Sequence, residues 1–217
     1  MEIKYFNSNF DKITQNKDTE QSITNVIEKL PSLNIVSDKN LLEETIKISK
    51  QFKEKKEKII VFGTGGSNLG ARALNNIISN NKIILEFYDN VDPINFEKNF
   101  QNINFELTGF LVISKSGTTP ETLSQFSCLY QKAIEANKVE DFFSNTLIIT
   151  EFKESPLFKI AKDNNCLLLE HHKDVGGRYS IFTNVGIVPA IISGLNINEL
   201  FSGCLLYTSY AADDSLR

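Results

Sequence analysis

Along the first 56 residues apolar positions are sparse and recur at helical spacing, whereas from residue 58 they gather into short unbroken runs. In DKNLLEETIKISKQFKEKK (38–56), Leu41, Leu42, Ile46 and Ile48 form a loose apolar face among Lys and Glu, with Asp38 placed to cap the helix. An earlier helix is expected over 18–30, stopped near Pro31. The later runs are KIIVFG (58–63), IILEFYD (83–89), GFLVIS (109–114), TLIITE (146–151) and CLLLEH (166–171). Helix-compatible stretches separate them at about 67–80, 93–101, 119–137 and 155–164.

Runs of nearly continuous Val, Ile, Leu and Phe are the signature of strands buried on both faces. Their alternation with helices predicts right-handed βαβ units and a parallel sheet. The expected fold is α/β: a three-layer α/β/α sandwich around a five-stranded parallel sheet of flavodoxin-like order, preceded by N-terminal helices. Such sheets bind ligands at the carboxyl ends of the strands, where the winding direction switches, and the first and third strands flank that switch. Both of these runs end in loops rich in Gly and hydroxyl residues.

The loop after the first strand is GTGGSNLG, Gly63 to Gly70. Gly65 and Gly66 let backbone amides turn toward a ligand at the positive end of the next helix, and Ser67 either caps that helix or donates to a ligand oxygen. A dinucleotide reading would give Asp89 the ribose role, but Asn68 stands where GxGxxG, counted from Gly63, needs its third glycine. The phosphate-loop pattern GxxxxGK[ST] is absent as well.

The loop after the third strand is SKSGTTPET, 114–122. Ser114, Ser116, Thr118 and Thr119 offer four O–H donors and Lys115 a cation, while Gly117 permits a tight curve. Pro120 suits the first helical position, Thr118 or Thr119 the cap, and Thr118 with Glu121 has the spacing of a capping box. One hydroxyl here would be read as a cap and nothing more. Four within six residues, facing a glycine-rich loop, point to a phosphate, whose acceptor oxygens suit hydroxyls and helix amides. A third cluster is DVGGRYSIFTNVGIVPA, 174–190, in which Gly176 and Gly177 allow a close backbone approach before a helix from about 183. Arg178 is either a surface residue of that turn or a cation set to stabilise developing negative charge at the rim of both loops.

In this order and spacing GTGGSNLG, VISKSGTTPET and VGGRYSIFTNVGIVPA resemble the phosphoglucose isomerase family over roughly residues 40–200. The first two blocks alone resemble the wider sugar isomerase (SIS) domain group, and GGRYS followed by NVGIVPA narrows the likeness. The resemblance implies that Gly66 and Ser67 contact a sugar phosphate and that Ser114, Lys115, Ser116, Gly117, Thr118 and Thr119 form its cradle. Gly177 is grouped with these binding residues. Arg178 would stabilise a cis-enediolate as a proton moves between C1 and C2 of glucose 6-phosphate and fructose 6-phosphate. The family needs no metal or organic cofactor, takes a phosphorylated hexose and forms homodimers. Its glutamate base, ring-opening histidine and late lysine belong to later motifs, and nothing after residue 190 resembles them. His171 and His172 precede the GGR block and are read as solvent-edge or structural residues.

The remaining expectations concern class and boundaries. At 217 residues, 41% hydrophobic and 23% charged, the chain has the composition of a globular protein with one substantial domain. A net charge of −4 provides no electrostatic basis for nucleic acid as the main partner. Cys128, Cys166 and Cys204 lack a CxxC pairing, which fits free thiols in a cytoplasmic protein. No apolar run reaches the roughly 18 residues of a membrane helix, and MEIKYFNSNFDKIT has no signal-peptide centre. The expected organisation is a helical segment at 1–56, an SIS sugar-phosphate-binding domain at 57–200 and a non-native tail at 204–217. CLLYTSYAADDSLR (204–217) contains no Lys, Asn or Ile, unlike the rest of the chain. A truncated isomerase, inactive alone, is therefore expected, ahead of a non-catalytic SIS binding module and, last, a nucleotide-dependent α/β enzyme.

Overall fold

Each apolar run becomes a parallel strand. In the computed structural model, which describes residues 21–22, 25–26, 29–77 and 82–204, these are β1 (Lys58–Phe62), β2 (Ile84–Tyr88), β3 (Thr108–Ile113), β4 (Thr146–Thr150) and β5 (Leu167–Glu170). The helices bounded within the described residues are α1 (Pro31–Asn34), α2 (Lys39–Phe52), α3 (Gly66–Asn76), α4 (Pro93–Phe100), α5 (Pro120–Glu135), α6 (Val139–Ser144), α7 (Pro156–Asp163) and α8 (Asn184–Ser193). The strands form one sheet of order β2-β1-β3-β4-β5, parallel throughout, with Phe62 in register with both Tyr88 and Val112. The flavodoxin-like order expected from the sequence is the observed one.

Successive side chains on a strand point to opposite faces, and here both faces are covered. Ile60, Phe62, Phe110, Val112 and Ile148 share one core with Phe126 and Leu129 of α5, Phe142 of α6 and Leu157 of α7. The alternate residues Ile59, Val61, Leu111, Ile113, Leu147 and Ile149 pack against Phe52 of α2 and Val185, Val188 and Ile192 of α8. Every residue of α8 is buried, because the helix lies between the sheet and a further cluster containing Ile35, Val36, Leu74 and Phe201.

Asp38 caps α2 as expected, its carboxylate accepting from the Leu41 amide at 3.0 Å. Beyond the cap, Thr45 of α2 donates to Asn184 of α8, whose amide in turn donates to the Glu170 carbonyl of β5 at 2.8 Å. The helix read as part of a leading segment is thus one leaf of the layer that covers the sheet. Two local features departed from expectation. Pro31 opens α1 rather than only ending a helix, and α6 forms from VEDFFS, a segment whose N-terminus carries no side-chain cap. Phe142, wholly buried among Phe105, Phe110 and Phe126, holds α6 in place through tertiary contact. Most of the expected 18–30 helix and residues 205–217 of the expected tail lie outside the described residues.

Phe142→Ala is expected to lower the unfolding free energy by about 3–5 kcal/mol, the cost of deleting a buried aromatic ring, as measured by urea denaturation.

Candidate functional site

At the carboxyl ends of β1, β3 and β4 the loops surround a cleft of about 450 Å³ that also receives the turn after β5. It lies beside the β1/β3 switch, where open α/β sheets hold their ligands. The three motifs singled out in the sequence meet there. Gly66 and Ser67 line it from α3, Lys115, Ser116 and Thr119 from the hydroxyl loop, and Gly177 and Arg178 from the 3-10 turn Gly177–Tyr179.

The convergence depends on backbone contact between two glycines. A Cβ on Gly66 would lie 2.2 Å from the carbonyl carbon and oxygen of Gly177 and 2.6 Å from the Arg178 amide nitrogen. Only a glycine at the start of α3 lets the arginine turn come this close.

The hydroxyl loop is shaped by its own side chains and by the β4–α7 connection. Ser114 is buried, accepts from the Gly117 amide at 3.1 Å and shares a 2.8 Å bond with the Thr119 hydroxyl. It braces the loop from beneath rather than lining the cleft. Gly117 has φ +68°, and a Cβ there would sit 2.1 Å from the Ser155 hydroxyl oxygen. Its carbonyl accepts from the Leu157 amide, while the Lys115 carbonyl accepts from the Glu151 amide, both at 3.2 Å. Thr118 is exposed outside the cleft and donates its hydroxyl to Ser116 at 3.0 Å.

Both capping expectations at the cleft need correction. Thr119 is the N-cap residue of α5, but its hydroxyl is taken by Ser114, so no side chain caps the helix and the Thr118–Glu121 box does not form. Ser67 lies inside the first turn of α3, whose N-cap position is Gly65, also without a side-chain bond. Among the described helices of eight residues or more, α2, α4, α7 and α8 are capped by Asp38, Asp92, Ser155 and Thr183. The two that begin at the cleft are not. Their first-turn amides and positive dipole ends face the same space, an arrangement that favours an anion.

Thr64, Glu151 and Lys153 also line the cleft, and sequence reasoning did not single them out. The available signal was that β4 borders β3 and also ends at the carboxyl edge of the sheet. Lys153 pairs closely with Glu151, whose other oxygen lies 3.7 Å from the Lys115 ammonium. The hydrogen bond from Lys153 holds the Glu151 carboxyl below the ordinary carboxylate range, so the group is ionised at neutral pH. Three cations, Lys115, Lys153 and Arg178, therefore share the cleft with one carboxylate. Asp89, the alternative ribose ligand, instead pairs with Arg72 at 3.0 Å.

His171 is a buried structural residue and not a solvent-edge one. It has no exposed surface, its Nδ1 lies 3.3 Å from the His172 carbonyl, and its Nε2 has no hydrogen-bond partner among the described residues. Burial pushes its pKa below the ordinary imidazole value, and the nearby Lys115 and His172 act in the same direction against Glu151 and the His172 carbonyl.

The chain matches the family model described as phosphoglucose isomerase over residues 13–211, a span that includes α1, α2 and the first residues of the 204–217 stretch. It is 37% identical over 176 residues to the glucose-6-phosphate isomerase of Carboxydothermus hydrogenoformans, with 74% of this chain and 38% of that protein covered. A crystal structure of a hypothetical protein from Thermus thermophilus superposes with TM-score 0.74 at 27% identity, over 80% of this chain and 41% of that one. The sugar isomerase domain of an RpiR transcription factor from Sphaerobacter thermophilus shares the fold, with TM-score 0.51 at 18% identity, over 90% of this chain and 99% of that one. The chain thus spans about two fifths of the length of the curated relative it matches.

Gly66→Ala is expected to cost about 1–3 kcal/mol of stability, as overpacking does, and to shift the amide resonances of 176–180. Acidification provides a separate test. His171 has a native pKa below its unfolded value of about 6.5, so the unfolded chain binds the proton first. Stability should be fully present above about pH 6.5 and fall as the pH drops toward the native value. In urea titrations from pH 7 to pH 5, His171→Gln should flatten this part of the slope. Taken together, the motif order, the cleft they build and the match over most of its length make this chain a member of the phosphoglucose isomerase family.

Proposed function

We propose that the cleft binds the phosphate of a phosphorylated hexose and that the whole protein interconverts glucose 6-phosphate and fructose 6-phosphate. The observation that carries the reading is the pair of helices, α3 and α5, whose uncapped N-termini converge on one space lined by hydroxyls. A phosphate presents several charged acceptor oxygens, and first-turn amides with the Ser67, Ser116 and Thr119 hydroxyls supply complementary donors, the Thr119 proton being free for the ligand when Ser114 donates in their shared bond. Ser114, Gly117 and Thr118 shape and brace that cradle, and Lys115 contributes its backbone to the loop.

A phosphate seated there directs the sugar carbons along the cleft toward Gly177 and Arg178. In the isomerisation a proton leaves C2 of the aldose, a cis-enediolate forms, and a proton is returned at C1 to give the ketose. The Arg178 guanidinium, carried on the turn whose backbone meets Gly66, would stabilise the negative charge on the enediolate oxygens. No residue of the cleft is assigned the role of the proton-transferring base or of opening the sugar ring. Residues 57–200 act in this reading as the SIS sugar-phosphate-binding domain, with the segment before them packed onto it. In this reading the protein works in the cytoplasm, as a homodimer and without a cofactor. None of its described helices is long and apolar enough to cross a membrane.

Isothermal titration with fructose 6-phosphate tests the cradle. Hydrogen bonds to a charged group contribute about 1.5–3 kcal/mol each, so the Ser116→Ala, Thr119→Val double variant should bind at least tenfold more weakly. Unchanged affinity would refute the cradle.

A further inference from the structure

Lys115 sits in the middle of the hydroxyl loop, yet its ammonium is committed elsewhere. Nζ donates to the Lys173 carbonyl at 2.7 Å and to the Val175 carbonyl at 3.0 Å, and lies 3.7 Å from Oε1 of Glu151. An ammonium has three N–H donors and no more. The two carbonyls take two of them, the Glu151 carboxylate holds the charge from beyond hydrogen-bond length, and the 2.7 Å bond has the length of a charge-assisted contact.

The residues so held come immediately before Gly176, Gly177 and Arg178. The turn's other hydrogen bonds are local: the Val175 amide to the His172 carbonyl at 3.2 Å, the Asp174 amide to His172 Nδ1 at 3.2 Å and the Tyr179 amide to the Gly176 carbonyl at 2.9 Å. Among the described residues, the hydrogen bonds that tie 172–176 to a neighbouring loop all come from Lys115. The carbonyl of Lys115 is itself anchored to the Glu151 amide at 3.2 Å, so both ends of the residue are fastened to different strands' loops.

We propose that Lys115 is a positioning residue, its ammonium fastening the turn that carries Gly177 and Arg178 to the phosphate-binding loop. This assignment rests on the reading of the cleft as a sugar-phosphate site. Anion binding and arginine placement then belong to one braced unit. Lys115 acts on the sugar end of the ligand through Arg178, and its ammonium makes no bond to the phosphate.

The test compares the unmodified chain with Lys115→Met, Arg178→Met and the double variant, using fructose 6-phosphate and inorganic phosphate as ligands. Without ligand, Lys115→Met should raise amide hydrogen exchange at Val175 and Tyr179 at least tenfold. It should weaken fructose 6-phosphate about tenfold but phosphate less than threefold, and adding Arg178→Met should cost less than a further twofold. Equal losses for both ligands, or losses that multiply in the double variant, would make the ammonium a direct phosphate ligand and overturn the proposal. Unchanged exchange at Val175 and Tyr179 would overturn it too. If Lys115→Met does not fold, the Lys115 ammonium nitrogen resonance of the unmodified protein decides. It should hold its position during phosphate titration, and a shift that saturates with binding overturns the proposal. Failure of the unmodified chain to bind either ligand would refute the sugar-phosphate reading of the cleft, while the exchange rates alone still decide whether Lys115 fastens the turn.

Discussion

The parallel pairing of β1 with β3 is the constraint on which the rest of the site depends. It sets Phe62 beside Val112 at the centre of a sheet buried on both faces, so a one-residue slip of either strand would carry every side chain into the opposite core, which is packed for a different set. Because the chain leaves β1 toward one side of the sheet and β3 toward the other, α3 and α5 start at neighbouring points and diverge. Strand pairing brings their N-termini together at the carboxyl edge of the sheet.

That geometry explains why the cleft has an uneven share of caps. At α2, α4, α7 and α8 a carboxylate or hydroxyl at the N-cap satisfies the first amides, as Asp92 does for α4 with bonds of 3.0 and 3.2 Å. At the cleft the Thr119 hydroxyl is diverted to buried Ser114, and Gly65 has no side chain to offer. Helix amides left to a ligand are a fixed dipolar site that requires no reorganisation when an anion arrives. The cations around it are restrained rather than free. Glu151 holds Lys153 closely and Lys115 more distantly, which limits how strongly the rim attracts anions indiscriminately. Arg178 forms no ion pair among the described residues and is the cation with least prior engagement.

Much of this was legible along the chain. Continuous apolar runs located all five strands to within about a residue at their ends, since strands covered on both faces carry few polar positions inside them, Glu86 of the edge strand β2 being one. The glycine-rich and hydroxyl-rich loops were recognisable because few other roles require so many small donors in so short a stretch. Capping at α5 was misread, because Thr118–Glu121 has the right spacing while the competing partner, Ser114, is reached only when the loop curls back through Gly117. For His171 the strand-end position left solvent-edge and structural roles open, and its burial decides for the structural one. Glu151 and Lys153 had no local motif, and their place beside the cleft follows from β4 lying next to β3.

By itself the amino-acid sequence determined the strand and helix succession, the likeness to its family and the loops that carry the donors. Those properties are local, set by side-chain periodicity, by glycine's backbone freedom and by hydroxyl chemistry. Only the tertiary structure decided what the donors do. Lys115 reaches carbonyls about 60 residues further along the chain, and Gly66 meets Gly177 across the cleft. Such pairings depend on which strands become neighbours, a consequence of burying the whole sheet at once that no single stretch of sequence encodes.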